Sequence, residues 1–385
     1  MRWKLMAAAT LVLAGTAAAQ QPRPVDAATS ARLRQAGAEV LFWSQAQRDA
    51  NFRRMEQLFP TVTIKAGGKV RVLPRGRPLA VPAAEVDRYL AEQNIAGLIV
   101  LQDGKVRLER YARGFGPAGR WTTFSVAKSL TSTLFGAAVK DGKLSLDDQV
   151  TRFIPEMRGS AYDGVTVRQV LTMSSGAKWN ENYSDPKSDV AQMFSRPVAA
   201  NEDVIVAYMK TLGRAAAPGT KFNYNTGETN LAGTILSRAV GMPISRYASV
   251  RVWRPYGMEA DAFWQVDEHG REIAGCCVSM RLRDYARIGQ LQLEQGHGLL
   301  APGWVADATR IHVPFPQQPG WGYGYFWWVQ PGGYRASGIF GQQIWMDPAR
   351  HVVIAAVAAW PKAVDDKMAA DRQAFFHRLA EAASR

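Results

Sequence analysis

The rhythm of apolar and polar positions changes several times along this chain. Ala38–Leu58 reads as a helix, and Lys65–Leu79, rich in Gly, Pro and Arg, reads as a connector. From Ile95 the pattern sharpens. Ile95–Leu101 is an apolar run of strand length, Asp103-Gly104 is a hairpin turn signal, and Val106–Tyr111 returns as a second strand. A helix is expected from about Ser125 to Lys140, stopped by Asp141-Gly142. Residues from about 143 to 260 look largely helical, with Thr166–Met173, Asp203–Leu212 and Glu228–Ala239 the clearest segments. Strands are expected again at Trp321–Val329, Tyr334–Phe340 and Val352–Ala359, before a final helix from about Val364 to Ala383. In the first of these, Trp321, Tyr323, Tyr325 and Trp327 would share one face, more as core than as substrate wall. Strands at both ends around a helical middle predict an α+β fold: an antiparallel sheet flanked by helices, with a helical insertion lobe.

The 385 residues are 47% apolar and 21% charged, values of a chain with a sizeable core and not of a disordered one. The division expected is a leader over 1–19, an N-terminal extension and connector over 20–85, and a main domain over 86–385 with its helical lobe at about 143–260. Arg2 and Lys4 precede an apolar stretch from Leu5 to Ala19 that ends in three alanines. A positive start, a short apolar middle and small residues at the end form a secretory signal, so cleavage near Ala19 and a periplasmic or secreted product are expected. No later stretch approaches membrane-spanning length. Export separates a protein from ATP and reduced nicotinamides, which counts against kinase and dehydrogenase chemistry. The formal charge of +14 comes from scattered basic residues without a dense run, so no nucleic-acid partner is expected.

Cys276 and Cys277 are adjacent, and neighbouring residues do not easily reach disulfide geometry, so no disulfide framework is expected. His269, His297, His312, His351 and His377 are dispersed without metal-ligand spacing, and neither a metal nor another cofactor is implied. Gly114–Gly119 matches a glycine-rich dinucleotide pattern, but Pro117 and the delayed helix make it a loop. The nucleophile elbow of common serine hydrolases does not occur. Ser-x-x-Lys occurs three times. Ser175–Lys178 contains Gly176 and Ser184–Lys187 contains Pro186, whereas Ser125-Val126-Ala127-Lys128 opens a clear helix. Positions three apart share a helix face, so the Ser125 hydroxyl and Lys128 amine can meet. The helix is otherwise apolar, and burial would lower the Lys128 pKa towards that of a proton acceptor. Ser125 could instead serve only as a helix N-cap, the commoner role of a serine at such a place.

Further motifs tip this balance. Phe124–Leu130 resembles the nucleophile motif of the serine β-lactamase and penicillin-binding-protein superfamily. Leu171–Gly176 resembles its LTxxSG segment and Pro218–Tyr224 its PGxxFxY segment. Tyr224-Asn225-Thr226 falls where class C β-lactamases and related esterases carry Tyr-x-Asn, and Ala336-Ser337-Gly338-Ile339 where they carry Lys/His-Thr/Ser-Gly. The similarity spans about residues 90–360. Within it, Tyr224–Gly233, Tyr256–Trp264, Gly275–Arg287 and Gly338–Pro348 resemble 6-aminohexanoate-dimer-hydrolase-like proteins. The resemblance implies cleavage of a small-molecule amide or ester through an acyl-enzyme. Its residues would be Ser125, Lys128 and Tyr224, with the backbone N–H groups of Ser125 and Ile339 as oxyanion hole. Tyr183 would cover the substrate, and Thr226, Ser337 and Gly338 would contact it. Two departures stand out. Thr226 replaces Asn, so one amide contact is lost or made by a hydroxyl. Ala336 replaces the cation that would meet a carboxylate, which weakens the expectation of β-lactamase or D,D-carboxypeptidase activity.

Overall fold

The computed structural model describes residues 24–384, without the side chains of residues 36–38; the expected leader and its cleavage site lie outside the described residues. An eight-stranded antiparallel sheet forms the backbone of the molecule. Its strands are β2 (Ile95–Gln102), β3 (Lys105–Tyr111), β7 (Val313–Pro314), β8 (Gly322–Tyr323), β9 (Trp328–Gln330), β10 (Gly333–Gly338), β11 (Gln342–Asp347) and β12 (Val352–Ala358), in the order β3-β2-β12-β11-β10-β9-β8-β7. The early hairpin β2–β3 therefore joins the late strands through β12. The α+β class holds. A second sheet of four short strands, β1 (Thr61–Ile64), β5 (Ala262–Gln265), β6 (Val278–Met280) and β4 (Trp121–Thr122), was not visible in the sequence.

Helices cover both faces of the large sheet. Ile344 and Trp345 are neighbours on β11 and must point to opposite sides. On one side the helix Leu282–Leu293 lies so close that a Cβ on Gly289 would come 2.5 Å from Val353 and 2.9 Å from Ile344. On the other, Trp345 packs edge-on against Phe376 of the terminal helix Asp366–Ala383. Rows of Val, Ile, Leu and Ala on β2 and β12 are fully buried between these layers, as a sheet covered on both faces requires.

Two expectations need correction. Ala38–Leu58 is not one helix but the end of α1 (Ala27–Phe42) followed by α2 (Gln45–Asn51) and α3 (Met55–Leu58). Ser44 interrupts it by forming a capping box with Gln47, which starts a new helix more favourably than it continues the old one. The strand expected over Trp321–Val329 is a tight hairpin, β8 turning into β9. Inside it, the Gly324 N–H donates to Trp327 O and Phe326 takes a φ of +59°, so the regular alternation of faces fails. Tyr323, Tyr325 and Trp327 are nevertheless buried as core. Cys276 and Cys277 are joined sulfur to sulfur within one dipeptide, a pair that staples no distant segments and leaves the expectation of no disulfide framework standing.

Candidate active site

The site forms where α5 (Val126–Lys140) starts beside Ala336, Ser337 and Gly338, the half of β10 that pairs with β11 but not with β9. Its entry is strained: Phe124, an aromatic residue, sits in the left-handed region at φ +43°. Its ring is buried against Phe52 and Phe340, at centroid separations of 4.9 and 5.4 Å, and this packing holds the turn in place. Ser125 occupies the N-cap position, yet its hydroxyl caps no backbone N–H. It meets Lys128 instead, whose Nζ lies 3.0 Å from Ser125 Oγ.

Lys128 is 1% exposed. Besides Ser125 it reaches two acceptors, Thr226 Oγ1 at 3.0 Å and the Gly275 carbonyl at 2.8 Å. A neutral amine has two N–H groups and one lone pair, so Thr226 and Gly275 can take both protons while the lone pair faces the serine. Burial pushes the Lys128 pKa down to about 8, and the charge of Glu181 opposes the shift. Tyr224 lies across the amine, with Lys128 Nζ 5.2 Å from its ring centre. Burial, reinforced by Glu181, raises the Tyr224 phenol above its ordinary value, and its contact with Ser125 pulls weakly the other way. The ring is fixed by stacking on Trp328 at 5.4 Å and by an edge contact with Tyr323.

The structure thus brings Ser125, Lys128, Tyr224 and Thr226 together. The Thr226 hydroxyl makes the contact to Lys128 left open by the missing Asn. Gly338 is placed against the nucleophile: a Cβ there would lie 2.5 Å from Thr123 O and 3.1 Å from Ser125 N. Ile339 follows directly, and among the described residues neither its N–H nor that of Ser125 donates to a backbone acceptor. The Gln342 amide, bonded to the carbonyls of Ile339, Phe340 and Ala358 at 2.8 to 3.2 Å, braces this turn. Ser337 accepts from Gln343 at 3.0 Å. Ala336 is fully buried and pairs with Ile344, so no cation occupies its position. Tyr183 is half-buried, lines the cavity at Ser125 and donates to Glu181 at 2.8 Å.

Glu181 is the residue that sequence reasoning missed. It accepts from the Thr226 backbone N–H at 2.9 Å, from the Thr226 hydroxyl, from Tyr183 and from Trp179 Nε1. Its carboxylate therefore stands one hydroxyl away from Lys128. Nothing marks it in sequence except its place two residues before Tyr183. Gly275 is a second omission, because its part is played by a carbonyl that every residue type possesses. Cys276 and Cys277 line the same cavity.

The chain is similar to several known proteins. The beta-lactamase family profile matches residues 83–378. The chain is 29% identical over 347 residues to the 6-aminohexanoate-dimer hydrolase of Paenarthrobacter ureafaciens, covering 83% of this chain and 87% of that one. It is 27% identical over 237 residues to Esterase EstB of Burkholderia gladioli, covering 56% and 59%. Among solved structures, a Bacillus anthracis protein provisionally named a 6-aminohexanoate-dimer hydrolase superposes with a TM-score of 0.75 at 20% identity, over 86% of this chain and 94% of that one. With the family profile matching more than three quarters of its length, this chain belongs to the beta-lactamase family and is a serine hydrolase.

Proposed function

We propose that this chain is an exported amidase or esterase that works through an acyl-enzyme on Ser125. The observation that carries the reading is the Ser125 hydroxyl engaged by a buried lysine instead of capping its helix. In the proposed cycle neutral Lys128 takes the Ser125 proton as Oγ attacks the substrate carbonyl. The N–H groups of Ser125 and Ile339 receive the oxyanion, a contribution of about 3 kcal/mol per donor in comparable hydrolases. As the intermediate collapses, Tyr224 gives its proton to the leaving amine or alcohol and is reprotonated from Lys128. Water then repeats the sequence on the ester and frees Ser125. Lys128 is favoured over a Tyr224 phenolate as base, because burial brings the amine close to neutrality in the physiological range and moves the phenol away from it.

A buried lysine facing a serine has no use in a passive binding protein, where it would only cost stability. A D,D-carboxypeptidase or β-lactamase is disfavoured because apolar Ala336 stands where a carboxylate-binding cation is expected. The leader at 1–19 supports export, and N-terminal sequencing of the secreted protein should begin near Gln20. Intact-mass analysis after a fluorophosphonate, followed by peptide mapping, should find one adduct on Ser125. An adduct elsewhere, or none, overturns the assignment. Turnover of penicillins or D-Ala-D-Ala peptides above that of simple esters and amides would overturn the substrate reading.

A further inference from the structure

Beside Ser125 lies a cavity with about 110 Å³ of free space. Its walls are Phe124 and Ile339 at the nucleophile, Val190, Met193 and Phe194 from the lobe, and Val40, Leu41 and Met55 from α1 and α3. The last three precede residue 83, so they lie outside the segment that the family profile matches. Arg34 is the charged residue among the described lining, and it is ion-paired with Glu268, which leaves the cavity without a free counter-ion. Tyr224, which must face the leaving group, does not line this space. With the proposed proton donor to the leaving group absent from its walls, this space is assigned to the acyl side of the scissile bond.

We infer that the N-terminal extension completes an acyl-binding site that selects an uncharged, apolar acyl group of medium length; this rests on the acyl-enzyme reading of Ser125. The space is worth several waters, which suits an acyl chain of medium length and not a long one. An apolar acyl chain would shed water against Val40, Leu41 and Met193 and gain binding energy that is spent at the carbonyl. Gln265, Tyr183 and Thr226 add polar atoms to the wall, but a carboxylate or ammonium at the chain's end would meet no free ion of opposite sign among the described lining and would bind less well than an apolar group.

The test compares kcat/KM for p-nitrophenyl acetate, butanoate, hexanoate, octanoate and dodecanoate, with the hemisuccinate ester as charged control. Active sites are titrated with a fluorophosphonate throughout. For the native protein the rate is expected to climb by up to about fourfold per methylene to hexanoate or octanoate. It should fall again at dodecanoate, with the hemisuccinate at least tenfold below butanoate. Leu41→Arg should erase most of the climb, read as the ratio of the octanoate rate to the acetate rate of the same variant. Leu41→Trp, which narrows the cavity, should move the optimum to a shorter chain. A flat native profile, a preferred hemisuccinate, or Leu41 variants with the native profile, each with Ser125 fully titrated, would overturn the acyl-site inference alone. Failure of the fluorophosphonate to label Ser125 would overturn the acyl-enzyme reading beneath it.

Discussion

Two candidate bases meet one serine, and burial acts on them in opposite senses. Removing a charge-bearing group from water favours its neutral form, so the amine becomes more available as an acceptor and the phenol keeps its proton. Since neutral Lys128 is required, kcat/KM should rise about tenfold per pH unit at acidic pH and level off above about 8. A profile flat from pH 6 to 9 would refute this. Glu181 raises the Lys128 pKa, so Glu181→Gln should shift the midpoint of that limb to lower pH; an unchanged or higher midpoint would show that the carboxylate is not felt at the amine. Ser125→Ala should abolish turnover. Because the hydroxyl caps no N–H, its stability should stay within about 0.5 kcal/mol of native, against about 1 kcal/mol lost when a true N-cap serine is removed. Chemical denaturation distinguishes the two.

At the scale of elements, the site depends on how near β10 comes to the start of α5. Gly338 permits that approach, and Gly338→Ala must move either the Thr123 carbonyl or the strand. The expected outcome is a loss of roughly 1–3 kcal/mol of stability, as in other overpacked positions, together with a lower kcat because the Ile339 N–H is displaced. Unchanged kcat would place the oxyanion donors elsewhere. Much at this scale was readable in the sequence: β2, its Asp103-Gly104 turn, β3, α5 and the terminal helix all stand within a few residues of their expected places. These segments carry strong local signals. The short strands β4, β5 and β6 carry two to four residues each and exist through their partners, so no periodicity could reveal them. The break within Trp321–Val329 has the same origin. The Tyr325 N–H donates to Ala308 O and the Phe326 N–H to Leu171 O, contacts with distant segments that outweigh local strand preference.

For the molecule as a whole, Glu228 ties two segments of the lobe together. It is 2% exposed and accepts from Ser175, with Tyr162 and Asn225 each 3.4 Å away. Burial raises its pKa from 4.5 to about 8, the hydrogen bonds opposing the shift. The folded state then holds a proton that the unfolded chain has lost, so this group's contribution is fully present below about 4.5 and lost as pH rises to about 8. Glu228→Gln should therefore flatten the fall in stability between pH 5 and 8 seen in thermal denaturation; a variant with the native slope would exclude this carboxyl as its cause. What the sequence alone determined is the chemistry available: a serine and a lysine one helical turn apart, a tyrosine in its own motif, and the class of fold, all encoded over short distances. Only the tertiary structure decided that Lys128 meets Thr226 and Gly275, that Glu181 stands behind Thr226, and that the N-terminal helices wall the cavity at Ser125. Those features arise from contacts between residues far apart in the chain, which local spacing does not encode.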